Sequence, residues 1–270
     1  MYKLYRTGQE FLDENLNIIR NDPLGATFFE ANAKMISKCD ETNYALRVEV
    51  DTNLLLAIHV GEYPLVVYGS ERCADELAEA VIKHKLFFCK TIGALELSTA
   101  FLTAYERRVG GSHKVGKSMD VMSCSQVNGC DTADVVQATE REIEEIAELQ
   151  ADFSFEALGE RAEQSKLVSK LTTQINNFAL IRNNGKIVAI AESIDEGNGL
   201  CRISYVYTKP TYRNKGYSRK VVTYLTEQAI SNGKLPYLHV DQHNPISNHL
   251  YQSIGYVYGK SRYEIEYISN

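Results

Sequence analysis

The sequence has little of several features that would place it outside the soluble globular proteins. It contains only 5 prolines in 270 residues, with 44% hydrophobic and 24% charged residues. It contains no run of about 18 apolar residues, the length that a membrane-spanning helix requires. Its formal net charge is −6, so no global positive field collects phosphate groups. These absences argue against a membrane protein and against a general nucleic-acid-binding protein.

The six cysteines also lack the spacing of a metal or disulfide site. No two of them form a Cys-x-x-Cys pair, and none lies at zinc-ligand spacing from a histidine. We therefore expect the protein to hold no metal. We also expect its thiols to be reduced, as in a cytoplasmic protein. The segment that follows Met1 is Tyr-Lys-Leu-Tyr-Arg-Thr-Gly-Gln-Glu rather than an apolar run, so we expect no secretion signal.

A polar stretch from Ser125 to Ala133 divides the chain into two nearly equal parts. It contains an Asn-Gly pair and lacks hydrophobic periodicity, both typical of a connecting segment. We expect residues 1–128 to form an N-terminal α+β domain of unclear role and residues 133–270 to form a second domain. The second domain has the predicted element order β-α-α-β-β-β-α-β-α-β, which indicates an α+β fold with a mixed sheet.

Local signals mark the element boundaries of the second half. Thr139, with Glu142 three residues on, forms a capping-box pattern before an apolar helical stripe. Asn184-Gly185 predicts a tight hairpin turn between two strands. Gly233 predicts the end of a helix that begins near Tyr217.

The first half has a less regular pattern. We expect helices over residues 11–19, 25–36, 74–84 and 95–108, and strands over 44–50, 54–60, 64–67, 86–90 and 114–122. This order loosely resembles that of the second half, so the first half is either a degenerate copy of the second or an unrelated, smaller α+β domain. Its strand–helix junction, Val66 to Glu71, carries an acid and no basic cluster, so a phosphate-holding role there lacks support.

The most informative segment joins a predicted strand, Cys201 to Thr208, to the helix that begins near Tyr217. The loop between them carries Arg213 and Gly216. A strand, a tight loop and a helix N-terminus form a favourable phosphate site, because the first helical N–H groups lack intrahelical partners and the macrodipole attracts an anion. Gly216 permits a positive φ or a close backbone approach.

This loop, Arg213-Asn-Lys-Gly216-Tyr-Ser218, resembles the acyl-CoA pyrophosphate loop of the GNAT superfamily, the N-acetyltransferases that use acetyl-CoA. The usual loop is Gln/Arg-x-x-Gly-x-Gly/Ala, and Ser218 stands at its last small position. A second segment, from Asn244 through Tyr251 to Ile254-Gly-Tyr256, resembles the family's second signature. The resemblance covers roughly residues 134–270 and implies a GNAT fold, a mixed and mostly antiparallel sheet flanked by helices. The whole chain is similar to bacterial two-part GNAT proteins with a C-terminal catalytic domain.

The resemblance implies that acetyl-CoA is the cosubstrate. The loop would hold the pyrophosphate with backbone N–H groups, and Lys215, Arg219 and Lys220 are candidates for the outer phosphates. The preceding strand would pair with the pantetheine arm, and a backbone amide near Val206 or Tyr207 would stabilise the oxyanion. The cofactor-binding residues implied in this way are Val206, Tyr207, Thr208, Arg213, Asn214, Lys215, Gly216, Tyr217, Ser218 and Asn248.

The same resemblance gives Tyr251 the role of general acid toward the leaving thiolate, with a packed core tyrosine as the alternative. Glu192 is a candidate for the base that accepts the proton of the amine. His239 and Asp241 share one face of a later strand by period-2 spacing and are alternative bases. A buried strand histidine is more often a core residue, so the identity of the base stays open.

These residues predict an N-acyltransferase that moves an acetyl group directly to a primary amine of a small molecule or peptide in a ternary complex. Two alternatives remain. One is a non-catalytic module that binds CoA as a sensor or scaffold, and the other is a transferase for a longer acyl chain. We expect no nucleic-acid or membrane partner, and a homodimer is one option for assembly.

Overall fold

The computed structural model describes residues 1–270, except for the side chain of Leu158. The chain forms two compact units. The first contains Met1–Val121, Asp241–His243 and Gly259–Asn270, and the second contains Met122–Val240 and Asn244–Tyr258. The units differ from the sequence-based ranges mainly at the C-terminus, because the last strand groups with the first unit.

The first unit contains a mixed sheet in which only β4 and β5 are parallel. Its order is β1-β2-β3-β4-β5, and the C-terminal strand β12, Val257–Ile268, pairs with β5. The other elements are β1 (Tyr2–Leu4), α1 (Gly8–Asn21), α2 (Phe29–Met35), β2 (Asn43–Val50), β3 (Asn53–Val60), β4 (Leu65–Gly69), α3 (Ala74–Lys83), β5 (Lys90–Gly93), α4 (Leu95–Val109) and β6 (Ser112–Ser123).

The second unit repeats this architecture with the sheet order β11-β10-β9-β8-β7, in which only β10 and β11 are parallel. Its elements are β7 (Val135–Gln137), α5 (Ile143–Leu158), α6 (Gln164–Gln174), β8 (Phe178–Asn183), β9 (Lys186–Asp195), β10 (Leu200–Thr208), α7 (Tyr217–Ser231), β11 (Leu235–Asp241) and α8 (Pro245–Ile254).

The structure confirms the predicted α+β class and most predicted elements. The capping box forms, with the Thr139 N–H donating to the Glu142 carboxylate at 2.8 Å. Asn184 and Gly185 both have positive φ, as the predicted hairpin turn requires. The first half has the same element order as the second, which favours a degenerate copy over an unrelated domain.

Three expectations for the first half need correction. The short edge strand β1 was not predicted, since three residues show no readable alternation. Helix α2 begins at Phe29 rather than at residue 25, because Pro23 and Gly25 favour turns in the segment before it. The strand expected at 86–90 is β5, Lys90–Gly93, because the apolar residues Leu86 and Phe88 pack in the core from a connecting segment.

The sheet of the second unit is covered on both faces. One cluster joins the inner residues of α7 and α8 to the sheet, and it includes Val221, Leu225 and Tyr251. The other joins α5 and α6 to the opposite face. Strand β9 alternates between them, with Ala191 in the α7–α8 cluster and Ile190 in the α5–α6 cluster. This alternation decides which face each polar residue of the sheet can reach.

Candidate functional site

Strands β10 and β11 separate after a short paired region. Their parallel register joins Leu200 with Leu235, Cys201 with Pro236 and Arg202 with Tyr237. Both strands continue past these pairs, β10 to Thr208 and β11 to Asp241. The carboxyl ends of two parallel strands therefore diverge, and ligands of open α/β sheets commonly bind at such a place.

A β-bulge lies on β10 beside this opening. Ser204 pairs with Glu192 and Tyr207 pairs with Ile190, so Tyr205 and Val206 stand opposite one residue of β9. Tyr205 has φ +46°, an uncommon conformation for a tyrosine. Bulges re-aim the local backbone and occur beside active sites. The bulge falls where the sequence places the oxyanion-stabilising amide, Val206 or Tyr207.

The loop after β10 presents a row of main-chain donors. The N–H groups of residues 214–219 find no acceptor within the described residues, whereas the Lys220 N–H reaches the Gly216 carbonyl at 3.1 Å. Asn214 and Gly216 have φ +62° and +81°. A Cβ added at Gly216 would meet no atom within 4 Å, so the space beside Gly216 is open. Such a donor-rich helix N-terminus attracts an anion.

Arg213 points back from the loop toward α5. Its Nη2 lies 2.5 Å from Glu156 Oε2, and its Nε donates to the Thr208 carbonyl at 3.0 Å. The Tyr207 hydroxyl donates to the other oxygen of Glu156 at 2.9 Å. At the base of the loop, the Thr208 and Ser218 hydroxyls are 2.7 Å apart. Glu156 thus fixes the arginine that the sequence assigns to the phosphates.

The other three predicted phosphate-binding cations differ in how many protein partners they have. Lys215 is exposed, with its Nζ 5.3 Å from the centre of the Tyr212 ring. Lys220 pairs with Asp134 at 2.8 Å. Arg219 Nη2 lies 3.4 Å from the carbonyl oxygens of Asn128 and Ser253. Of the three, Lys215 is the most available to an outer phosphate.

Tyr251 lies on α8, whose start is well defined. The Asn244 side chain accepts the Ser247 N–H at 3.0 Å, and Pro245 occupies the first helical position. Tyr251 is 8% exposed, and its hydroxyl has no hydrogen-bond partner in the described part of the chain. Burial raises the pKa of its phenol to about 12, so it stays protonated at neutral pH. Asn248, three residues earlier, lies on the same helix face.

Glu192 lies on the opposite face of the sheet from Tyr251. The pleat places its side chain on the same side as Ile190, under α5 and α6. Glu192 is 1% exposed, and the Ser204 hydroxyl donates to its Oε2 at 2.8 Å. Burial raises the pKa of this carboxyl above 4.5, although the hydrogen bond from Ser204 opposes the shift. A carboxyl of this kind accepts a proton more readily than an exposed one.

The alternative bases have different surroundings. The His239 ring is half-buried and contacts the Tyr237 ring edge-on, with centroids 5.6 Å apart. Asp241 groups with the first unit, and its carboxylate accepts the His243 N–H at 2.8 Å. Glu192 is therefore the most deeply buried of the three candidates.

Sequence reasoning missed Glu156 and Ser204. Ser204 faces Glu192 across the β9–β10 register, which the hairpin spacing could have indicated. Glu156 is far from Arg213 in the chain and meets it through helix packing, so no local signal reveals it. Across the described residues there is no group of three metal-ligating side chains and no helix long and apolar enough to cross a membrane.

Comparison with known proteins shows what the chain is similar to. Residues 143–256 match the model of the acetyltransferase (GNAT) family. A GNAT-family acetyltransferase from Colwellia psychrerythraea is 13% identical with TM-score 0.62, and the match covers 100% of both chains. A GCN5-related N-acetyltransferase from Sphaerobacter thermophilus is 14% identical with TM-score 0.62, covering 100% of this chain and 96% of the other.

A third solved structure, a Drosophila protein, is 12% identical with TM-score 0.67 and covers 99% of each chain. A search of the curated proteins finds no match. At these identities the structural likeness shows the fold, and it confirms the predicted two-part GNAT architecture along the full length. Residues 143–256, somewhat less than half of the chain, are similar to the GNAT acetyltransferase family.

Proposed function

We propose that the protein is an acetyl-CoA-dependent N-acetyltransferase that acts on a primary amine. The observation that carries the proposal is the row of free N–H groups at residues 214–219, beside the opening between β10 and β11. A pyrophosphate placed there would receive several main-chain hydrogen bonds and the favourable end of the α7 dipole. The match of residues 143–256 to the family model supports acyl-CoA as the cosubstrate.

The strand β10 would bind the pantetheine arm. Beyond Arg202, its edge toward β11 is no longer paired with that strand, so Val206 to Thr208 can offer backbone groups to the amides of the arm. Asn248, on α8, is a further candidate for the arm, and in the free protein its side-chain amide donates to the Asn244 carbonyl at 2.9 Å. The loop and this edge together would fix the thioester at the opening, so that attack begins from a bound geometry.

A backbone amide and the Tyr251 phenol would then stabilise the negative charges that develop on the thioester oxygen and on the sulfur. An amide at the bulge, Val206 or Tyr207, would donate to the thioester oxygen as it becomes negative. The Tyr251 phenol would give its proton to the sulfur as the carbon–sulfur bond breaks. General acid catalysis of this kind typically contributes about 10²–10⁴-fold.

Glu192 would act from the other face of the sheet. The amine would approach from the α5–α6 side, form the new carbon–nitrogen bond and lose a proton to the Glu192 carboxylate, directly or through water. Acid and base on opposite faces keep the two proton transfers separate. The raised pKa of Glu192 supports this role.

A thiol-release assay tests the proposal. Acetyl-CoA would be offered with amino acids, polyamines, aminoglycosides and peptide N-termini, while calorimetry measures CoA binding to the full chain. We expect saturable CoA binding and thiol release with at least one amine class. Binding without thiol release from any amine would favour a CoA-binding sensor, and no heat of binding would remove the proposal altogether. Longer acyl-CoA thioesters in the same assay determine the preferred chain length.

A further inference from the structure

The bulge on β10 places two consecutive side chains on the same face of the sheet. In a regular strand, neighbouring side chains point to opposite faces. Here Ser204 donates to Glu192 on the α5–α6 side, and the Tyr205 ring packs against the cluster on that same side. Val206 returns to the α7–α8 side. The left-handed backbone of Tyr205 accompanies this change of direction, so the bulge brings an aromatic ring to the face that holds the proposed base.

The Tyr205 ring lies above Glu192. Phe178 pairs with Glu192 across β8 and β9, and Ser204 pairs with it across β9 and β10. The centroids of the Tyr205 and Phe178 rings are 6.4 Å apart. Strands β8 and β10 are separated by two strand spacings, which amount to about 10 Å. The two rings therefore meet above β9 at the level of Glu192, which accounts for its exposure of only 1%.

Helix α5 completes this cover. The Phe153 ring lies 5.4 Å from the Tyr205 ring, with an angle of 60° between the ring planes. Phe178 is fully buried, whereas Phe153 and Tyr205 are half-buried and reach the surface. We call the three rings, Phe153, Tyr205 and Phe178, the aromatic cover. A molecule that approaches Glu192 from the α5 side meets Phe153 and Tyr205.

The Tyr205 backbone makes the aromatic cover easier to open. A left-handed conformation costs free energy for a residue that carries a side chain. The contacts with Phe153 and Phe178 hold Tyr205 in this conformation, with φ +46°. When the ring leaves those contacts, the backbone can relax, and this relaxation offsets part of the lost packing. Backbone strain of this kind is typical of functional sites.

The charges around the aromatic cover are already paired. The ion pairs are Asp152 with Arg161, Glu156 with Arg213, and Glu196 with Arg202. The remaining carboxylates of α5 and its C-terminal connection that lack such a pair are exposed to solvent, namely Glu144, Glu148 and Glu160. Lys170 and Arg202 also favour the charged form of Glu192, although burial has the larger influence on its pKa. The aromatic cover is therefore suited to selection by ring packing rather than by an additional charge.

We propose that Tyr205 selects the acceptor, and that the acceptor is a primary amine with a flat aromatic ring close to the nitrogen. The inference rests on the proposed acetyl transfer, in which the amine loses its proton to Glu192. The ring of the acceptor packs edge-to-face against Tyr205 and Phe153, while its nitrogen reaches the carboxyl beneath them. The Tyr205 face also attracts the amine while it is still protonated.

Two amines with the same carbon skeleton test the proposal. The probes are 2-phenylethylamine and 2-cyclohexylethylamine, and spermidine is the polar comparison. Thiol release from acetyl-CoA gives kcat/KM for each amine. We expect the value for phenylethylamine to exceed that for cyclohexylethylamine by about three- to tenfold, the scale of one aromatic pair. A value for cyclohexylethylamine or spermidine that equals or exceeds that for phenylethylamine would overturn the substrate class and leave acetyl transfer intact. No thiol release from any amine would remove both proposals.

Variants assign the preference to Tyr205. The ratio of kcat/KM for the two ring amines is taken within each variant, so that changes in folding or in CoA binding cancel. Tyr205→Leu should bring the ratio to about one, and Tyr205→Phe should keep it, because the aromatic ring remains. Tyr224→Leu, at a half-buried tyrosine of α7 on the opposite side of the sheet, is the matched control and should keep the wild-type ratio. A wild-type ratio in Tyr205→Leu would refute the proposal.

A stability measurement checks the aromatic cover without any acceptor. Tyr205→Ala removes the ring and admits water to Glu192, so the pKa of this carboxyl should fall toward its ordinary value. Glu192→Gln should then change the free energy of unfolding at pH 8 by less in the Tyr205→Ala background than in the wild-type background. Urea denaturation of the four proteins measures this double-mutant cycle. An equal effect of Glu192→Gln in both backgrounds would show that the ring does not cover the carboxyl, which contradicts the proposal.

Discussion

Glu156 and Arg213 form an ion pair that joins α5 to the loop entering α7, with Oε2 and Nη2 2.5 Å apart. Glu156 also accepts the Tyr207 hydroxyl, so one carboxylate holds both a strand residue and a loop residue. Arg213 stands at the family's first loop position, where a cation would assist phosphate binding. In the free protein the positive charge of Arg213 is therefore directed at a protein carboxylate.

We predict that Glu156→Gln strengthens CoA binding. The variant removes the negative charge that competes with phosphate for Arg213, so affinity should rise by about two- to fivefold, the scale of an exposed ion pair. Calorimetry at low and high salt measures the change, which should shrink as salt screens the charges. Asp152→Asn is the matched control, because it removes the same charge one turn earlier, where the partner is Arg161. Weaker CoA binding in Glu156→Gln would instead show that the pair positions the loop.

We predict that Tyr251→Phe lowers turnover by about 10²-fold and leaves CoA affinity unchanged. The hydroxyl has no protein partner within the described residues, so its loss should leave the melting temperature almost unchanged. Tyr256→Phe is the control in the same cluster. Its hydroxyl bonds Thr226 at 2.8 Å, so this variant should lose about 1 kcal/mol of stability and retain turnover. Equal turnover in Tyr251→Phe and the wild type would reject the acid role.

The pKa of Glu192 links stability to pH. Because burial raises it, the folded state favours the neutral carboxyl, and this contribution is fully present below pH 4.5 and lost as pH rises through the folded-state pKa. Glu192→Gln should therefore be more stable than the wild type at pH 8, with the difference shrinking as pH falls toward 4.5. Urea denaturation at a series of pH values measures it. A constant difference across that range would show that the carboxyl is not perturbed.

The Glu192 carboxyl should also set the pH dependence of turnover. If Glu192 is the base, turnover falls on the acid side with an apparent pKa above 4.5, and this limb disappears in Glu192→Gln. Ser204→Ala removes the hydrogen bond that opposes the shift, so its acid limb should move to higher pH. If Glu192 had only a structural role, the acid limb would neither disappear in Glu192→Gln nor move to higher pH in Ser204→Ala.

The sequence predicts those parts of the candidate site that are built from residues adjacent in the chain. The loop from Arg213 to Ser218, its open helix N-terminus and the Asn-Gly hairpin all follow from residues that are neighbours in the chain. The bulge at Tyr205 could not be predicted, because it depends on how β10 registers against β9. Likewise, Tyr263 pairs with Gly93 of β5, and no periodicity indicates which strand β12 joins.

Gly216 and Gly233 allow a final test, since they share a conformation at opposite ends of α7. Their φ values are +81° and +70°, and an added Cβ at either would meet no atom within 4 Å. Alanine at either position should cost about 1 kcal/mol of backbone strain, so the two variants should melt alike. Only Gly216→Ala places a methyl group beside the N–H groups of residues 214–219, so only this variant should lose CoA affinity, by about tenfold or more in calorimetry. Equal CoA affinity in the two variants would show that the pyrophosphate does not bind at this loop.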